Sequence, residues 1–215
     1  EPPYFEKYGL QTTYVGHPVL ESGADRGDGV AFRDRYRIDA KERVILLLFG
    51  SRQTEIDQHI PEFFETISLL REMVGSFRVI TVASPYTKDI ISKAIKAWPY
   101  DITLISDPSQ KFDAFAASDV SLAASGTVAL ELAMAMVPSI IAYRTNPFTA
   151  WFVKRLVKIS FANLVNLTLE REVIPEFLFE RCQANLMAPA LQKLIISDHA
   201  RIQQRAGYAE ALQKL

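Results

Sequence analysis

Three short stretches of this chain carry residue types suited to holding an anion and a sugar: Gly50-Ser51-Arg52, Ser106-Asp107-Pro108, and Ser125-Gly126-Thr127 followed by Glu131. Arg52 offers a planar guanidinium that matches phosphate oxygens, beside a hydroxyl on Ser51 and flexible backbone at Gly50. Ser125-Gly126-Thr127 is a small polar turn in which Gly126 allows close backbone approach. Where such a turn feeds a helix, unpaired amides and the positive dipole end favour an anion, typically phosphate. Ser106-Asp107-Pro108 can present backbone to a base edge, or simply make a turn. Glu131 stands four residues after Thr127, on the same helix face and one turn along. A capping box would need Ser or Thr at 128, which is Val. Glu131 either accepts hydrogen bonds from a ribose diol or favours the positive end of the helix dipole. Together the loops suggest a nucleotide-diphosphate site. Neither G-x-G-x-x-G nor G-x-x-x-x-G-K-[ST] is present, which removes support from a hydride-transfer enzyme and a P-loop nucleotidase.

The elements around these loops are legible. Val120 to Ala124 reads as a strand, Val128 to Val137 as a buried helix stopped by Pro138, and Ser139 to Tyr143 as another strand. Upstream, Arg43 to Phe49 is an apolar run suited to a strand buried on both faces. A helix follows at about Glu55 to Val74, with Pro61 either tolerated near its start or splitting off a leading turn. Phe77 to Ala83 and Ile102 to Ile105 are further strands, separated by a helix over Lys88 to Ala97; Ser109 to Ala117 is a short helix. Strands alternating with helices predict an α/β fold with a doubly wound parallel sheet, Rossmann-like, and ligands at the carboxyl ends of its strands. Tyr4 to Tyr8 predicts one helical turn, Thr12 to Val15 a short strand, and Val30 to Tyr36 a short helix. Glu21 to Gly29 predicts a linker or mobile loop. Pro175 to Cys182 is expected to open a helix, and Ala188 to Ile196 and Ala200 to Leu215 to form two tail helices, with Pro189 in the first turn of the former. Asn146 to Ser160 has the pattern of a basic, aromatic amphipathic helix, for the domain interior or for an anionic membrane surface.

Composition sets bounds. The chain has 215 residues, 49% hydrophobic and 23% charged, with a formal net charge of -1. That suits a soluble globular domain and gives no electrostatic case for nucleic acid. Cys182 is the single cysteine, so no disulfide framework or cysteine-zinc cluster arises, and a reducing compartment fits. No run of about 18 apolar residues is present. The chain opens Glu1-Pro2-Pro3 with no initiator Met, and a fragment of something longer is expected.

Several segments in register resemble one family. Tyr14-Val15-Gly16-His17-Pro18, Gly50 to Ile56 (GSRQTEI), Ala124 to Glu131 (ASGTVALE), Asn166-Leu167 and Glu172 to Leu178 (EVIPEFL) occur in the order seen in bacterial lipid-A-disaccharide synthase. The resemblance covers nearly the whole chain but only the C-terminal half of that enzyme. It implies the nucleotide-binding C-terminal domain of a GT-B glycosyltransferase. Such an enzyme transfers 2,3-diacylglucosamine from its UDP derivative to 2,3-diacylglucosamine 1-phosphate with inversion, at the cytoplasmic face of the inner membrane. The resemblance implies that Gly50, Ser51 and Arg52 meet the diphosphate, with Arg52 stabilising the leaving group. Ser125, Gly126 and Thr127 cradle it, Glu131 holds the ribose, and Asn166 lines the cleft; Ser106 and Asp107 keep the reading their residue types allow, a contact to the base or a plain turn. The general base is expected on an acidic residue of the absent N-terminal half; His17, at the linker, is a structural or a catalytic residue. No metal or cofactor is expected. Implied partners are UDP and UDP-diacylglucosamine, a lipid acceptor, the membrane surface as a peripheral contact, the missing N-terminal domain and a possible homodimer. The implied division is residues 1–18 as linker and end of the N-terminal domain, 19–183 as donor domain, and 184–215 as helices crossing back or to a partner. Two departures are visible: Phe49 replaces the usual proline before Gly-Ser-Arg, and Phe179 replaces a glutamine, removing a polar side chain from near the cleft. The alternatives are a related UDP-sugar enzyme such as a UDP-N-acetylglucosamine 2-epimerase, or a non-catalytic nucleotide-binding module.

Overall fold

The computed structural model describes residues 5–13, 15–145 and 161–215. The elements in chain order are α1 (Gly29–Arg35), β1 (Val44–Leu48), α2 (Gln53–Val74), β2 (Arg78–Val82), α3 (Lys88–Ile95), β3 (Ile102–Ile105), α4 (Lys111–Ala116), β4 (Val120–Ala124), α5 (Val128–Met134), β5 (Ser139–Tyr143), α6 (Leu164–Leu169), β6 (Glu176–Leu178), α7 (Ala184–Ile196) and α8 (Asp198–Leu212). The strands form one sheet in the order β3-β2-β1-β4-β5-β6, and every pairing is parallel.

The apolar run of β1 explains its central place. All five residues from Val44 to Leu48 are buried. Val44, Leu46 and Leu48 face a core shared with α1, α4, α5, α6 and α8. Ile45, Leu47 and Phe49 face the other core, filled by α2, α3 and α7. A strand covered on both sides needs no polar alternation. From β1 the chain winds outward through β2 and β3, then returns to place β4 on β1's other side. The gap between the carboxyl ends of β1 and β4 is therefore the topological switch point, where open α/β sheets bind ligands.

Several local expectations are corrected. Pro175 to Cys182 is not a helix: Glu176–Leu178 pairs with β5, and a 3-10 turn, Phe179–Arg181, follows. Pro175 precedes this edge strand, where its missing N–H costs no ladder bond, and its carbonyl accepts from the Ile141 amide at 2.9 Å. Thr12, Thr13 and Val15 are not in a strand. Residues 21–29 are not a loose linker, because Gly27 and Gly29 sit flat against the backbone of α4. A Cβ on Gly27 would lie 2.0 Å from the Phe112 carbonyl oxygen, and one on Gly29 2.5 Å from that of Ala116. Pro61 does not split α2, which runs unbroken for 22 residues. Pro189 lies within α7 rather than in its first turn, the helix starting earlier, at Ala184. The tail helices pack on this sheet: the Gln204 side chain accepts from the Ser139 amide at 2.7 Å, and the Tyr208 hydroxyl meets Ser139 Oγ at 2.8 Å. The amphipathic stretch Asn146 to Ser160 lies outside the described residues.

Candidate functional site

The carboxyl ends of β1, β2 and β4 open onto a cleft of about 560 Å³. Gly50, Ser51, Arg52, Ser125, Gly126, Thr127 and Glu131 all line it, with Glu55, Ser84, Pro85, Pro108 and Lys111. Seven of the residues singled out by type and spacing thus share one rim, brought there because β1 and β4 are hydrogen-bonded neighbours in parallel register.

The loop after β1 is held from beneath. Phe49 is buried against Phe63 and Trp98, with ring centroids 5.2 and 6.0 Å away. Its aromatic ring anchors the strand end by packing, where a proline would stiffen the loop by fixing φ. Gly50 takes φ +110°, a backbone state that favours glycine, and a Cβ there would crowd Glu55 Oε2 at 3.0 Å. Arg52 occupies the N-cap of α2 without a side-chain cap bond. The N-cap Arg52 and the third helical residue, Glu55, both line the cleft, so the positive end of this 22-residue helix's dipole lies at the opening. The Arg52 side chain is 76% exposed and reaches Glu55 Oε1 at 2.7 Å.

The loop after β4 supplies the opposite wall. Among the described residues, the amides of Gly126, Thr127 and Val128 have no hydrogen-bond acceptor. A Cβ on Gly126 would meet nothing within 4 Å, so the backbone there borders open space. Helix α5 is only seven residues long, so α2 supplies the stronger dipole. Glu131, 20% exposed at its side chain, accepts from Lys111 Nζ through both carboxylate oxygens at 2.7 Å.

The remaining expected residues lie elsewhere. Ser106 and Asp107 do not line the cleft, although Pro108 does. Asp107 caps a 3-10 turn, accepting from Ser109 N at 3.0 Å, Ser109 Oγ at 2.7 Å and Gln110 Nε2 at 3.0 Å. These bonds, that from Gln110 foremost, hold its carboxyl below the usual range. Asn166 is fully buried, correcting its expected place on the cleft wall. Its Oδ1 accepts from Val173 N at 2.8 Å and Ile174 N at 2.9 Å, while Nδ2 donates to Ile174 O at 2.8 Å. It belongs to a knot around the buried carboxylate of Glu176, which also accepts from the amides of Ala162 and Asn163. His17 Nδ1 accepts from Val19 N at 3.1 Å and caps a 3-10 turn. Phe179 packs on Tyr143, centroids 5.8 Å apart, and does not line the cleft. The Cys182 thiol is buried, which pushes its pKa up to about 12 and makes it a poor nucleophile.

Two residues of the site, Glu55 and Lys111, and one beneath it, His59, carry no functional cue in the sequence. Glu55 sits inside the Gly50 to Ile56 run and becomes the partner of Arg52 only through helix geometry. Lys111 opens a short helix and has no pattern linking it to Glu131, 20 residues on. His59 lies in the middle of an apolar helix face, buried, yet braces the β1 loop from below.

Comparison with known proteins agrees across sequence and structure. A family model described as Lipid-A-disaccharide synthetase matches residues 1–215. The lipid-A-disaccharide synthase of Rhodospirillum centenum is 43% identical over 216 residues, covering 100% of this chain and 54% of that protein. The chain thus spans about half the length of the curated relatives it matches. A glycosyltransferase from Rickettsia africae superimposes with a TM-score of 0.60 at 15% identity, over 86% of this chain and 47% of the other. A putative UDP-N-acetylglucosamine 2-epimerase from Listeria monocytogenes gives a TM-score of 0.54 at 14% identity, over 96% and 48%. These two likenesses establish the shared fold. No helix among the described residues is long and apolar enough to cross a membrane.

Proposed function

Because the chain belongs to the lipid-A-disaccharide synthetase family, we propose that its cleft binds the UDP portion of UDP-2,3-diacylglucosamine, as the donor half of a glycosyltransferase. The acceptor in this reaction is 2,3-diacylglucosamine 1-phosphate. One observation carries this proposal: the Gly50-Ser51-Arg52 and Ser125-Gly126-Thr127 loops, with the Glu131 carboxylate, meet at a single switch-point cleft. Unpaired amides and a guanidinium suit a diphosphate, and a carboxylate beside them suits a vicinal diol. Family membership at 43% identity favours the transferase over an epimerase, which has the fold alone in common.

In an inverting transfer the acceptor hydroxyl attacks the sugar's anomeric carbon from the face opposite the diphosphate, and the bond to the diphosphate oxygen breaks. Negative charge then develops on that oxygen. The Arg52 guanidinium and the positive end of the α2 dipole, both at this cleft, support its stabilisation. The two carboxylates of the cleft, Glu55 and Glu131, are each ion-paired. The family resemblance, rather than this cleft, points to the base that activates the acceptor: an acidic residue of the N-terminal half of such enzymes. Residues 19–183 carry the donor-binding loops of a domain whose two cores α7 and α8 complete, and the lipid substrates bring the enzyme to the cytoplasmic face of the inner membrane as a peripheral protein.

Calorimetric titration with UDP is the direct test. Saturable binding in the micromolar-to-millimolar range is expected; no heat at millimolar UDP, with folding intact, overturns the assignment.

A further inference from the structure

The second cation of the cleft, Lys111, plays no part in the scheme above. Its Nζ lies 2.7 Å from both oxygens of Glu131, joining the first residue of α4 to the fourth residue of α5. The ammonium also stands 5.1 Å from the Phe112 ring centroid and 5.7 Å from that of Phe115. Phe115 is fully buried, so the lysine is braced by a rigid wall. Both partners are half-buried, at 32% and 20% exposure, where an ion pair is screened less than at a surface.

This geometry restricts Glu131. A free glutamate on a helix samples several rotamers, and each would aim the carboxylate differently. A two-point bond to an ammonium selects one of them. A carboxylate has about four lone-pair directions, and Lys111 occupies one on each oxygen. One acceptor direction remains on each, which matches two neighbouring hydroxyls. We propose that Lys111 is a positioning residue that locks Glu131 in the orientation that reads a ribose diol, so that the pair sets the preference for a ribonucleotide. The proposal rests on the assignment of Glu131 to the ribose.

The experiment compares UDP with 2′,3′-dideoxy-UDP by calorimetry on the wild-type protein and on Lys111→Met and Lys111→Arg. Wild type is expected to prefer UDP by about tenfold, the scale of hydrogen bonds to a charged group. Lys111→Met should reduce that preference to about twofold or less while dideoxy-UDP binds as before. Lys111→Arg, which keeps a cationic donor, should restore part of it. If Lys111→Met weakens both ligands equally and leaves the preference intact, Lys111 acts on the diphosphate and the proposal is overturned. If wild type itself shows no preference, the ribose assignment of Glu131 fails first. Should Lys111→Met melt early, Lys111→Gln reads the same ratio.

Discussion

His59 Nδ1 stands 3.0 Å from the carbonyl oxygen of Phe49, and the ring's Nε2 accepts the Arg144 amide at 3.1 Å. One buried imidazole therefore ties α2 to the end of β1 and to the exit of β5. Both bonds require the neutral ring, with its proton on Nδ1 donated to Phe49. Burial disfavours the charged form and holds the pKa below its ordinary 6.5. An unfolded chain would take up a proton near 6.5 where the folded protein does not. Stability linked to His59 is thus fully present above about pH 6.5 and is lost as pH falls towards its depressed value. Denaturant midpoints at pH 7.5 and pH 5.5 should differ more in wild type than in His59→Gln. An equal drop in both proteins would exclude this linkage.

Arg52 should separate binding from folding. Its side chain is largely exposed and, among the described residues, its ion pair is with Glu55. Arg52→Ala should change stability by no more than about 0.5 kcal/mol. It should weaken UDP by about tenfold or more, through loss of a charge-assisted contact. Uridine, which lacks the diphosphate, should bind both proteins alike. A parallel loss for uridine would place Arg52 away from the phosphates.

Gly27 tests whether residues 21–29 are part of the core. A methyl there would stand 2.0 Å from the Phe112 carbonyl oxygen and 2.4 Å from its carbon, and backbone cannot step aside as a side chain can. Gly27→Ala should cost about 2 kcal/mol or more, visible as a lowered Tm. Gly75→Ala, by comparison, has φ +81° but open space, so it should show only the backbone penalty of about 1 kcal/mol. A Gly27→Ala protein as stable as wild type would mean that this stretch can lift off α4.

Asn166 should behave as a residue of the interior. Truncation to Ala leaves the Val173 and Ile174 amides without their buried acceptor, at about 1–3 kcal/mol for each group left unpaired. The melting temperature should fall while UDP affinity, measured well below the melt, stays within about twofold of wild type. A selective loss of UDP binding with unchanged stability would return Asn166 to the cleft.

By itself the sequence determined the parts with strong local signals. The apolar run from Val44 to Leu48 has no polar alternation, so it had to be a strand covered on both faces. Gly50-Ser51-Arg52 and Ser125-Gly126-Thr127 announce loops, because glycine and small hydroxyl residues interrupt the apolar pattern there. The sheet then followed from the alternation of strands with helices. Tertiary structure decided what depends on distance along the chain. β6 is three residues long and draws its identity from pairing with β5, so the local pattern around Pro175 could not mark it. Glycines at 27 and 29 resemble those of a linker until the backbone of α4 lies against them. Asn166 and Glu131 are alike in sequence terms, each a polar residue flanked on both sides by leucine or valine. Only the packing of β6 beside β5 buries the amide, and only the pairing of β1 with β4 leaves the carboxylate at an open rim. Local residue pattern sets which backbone states are cheap; which side chains meet is set by the sheet order, and no short window of sequence contains it.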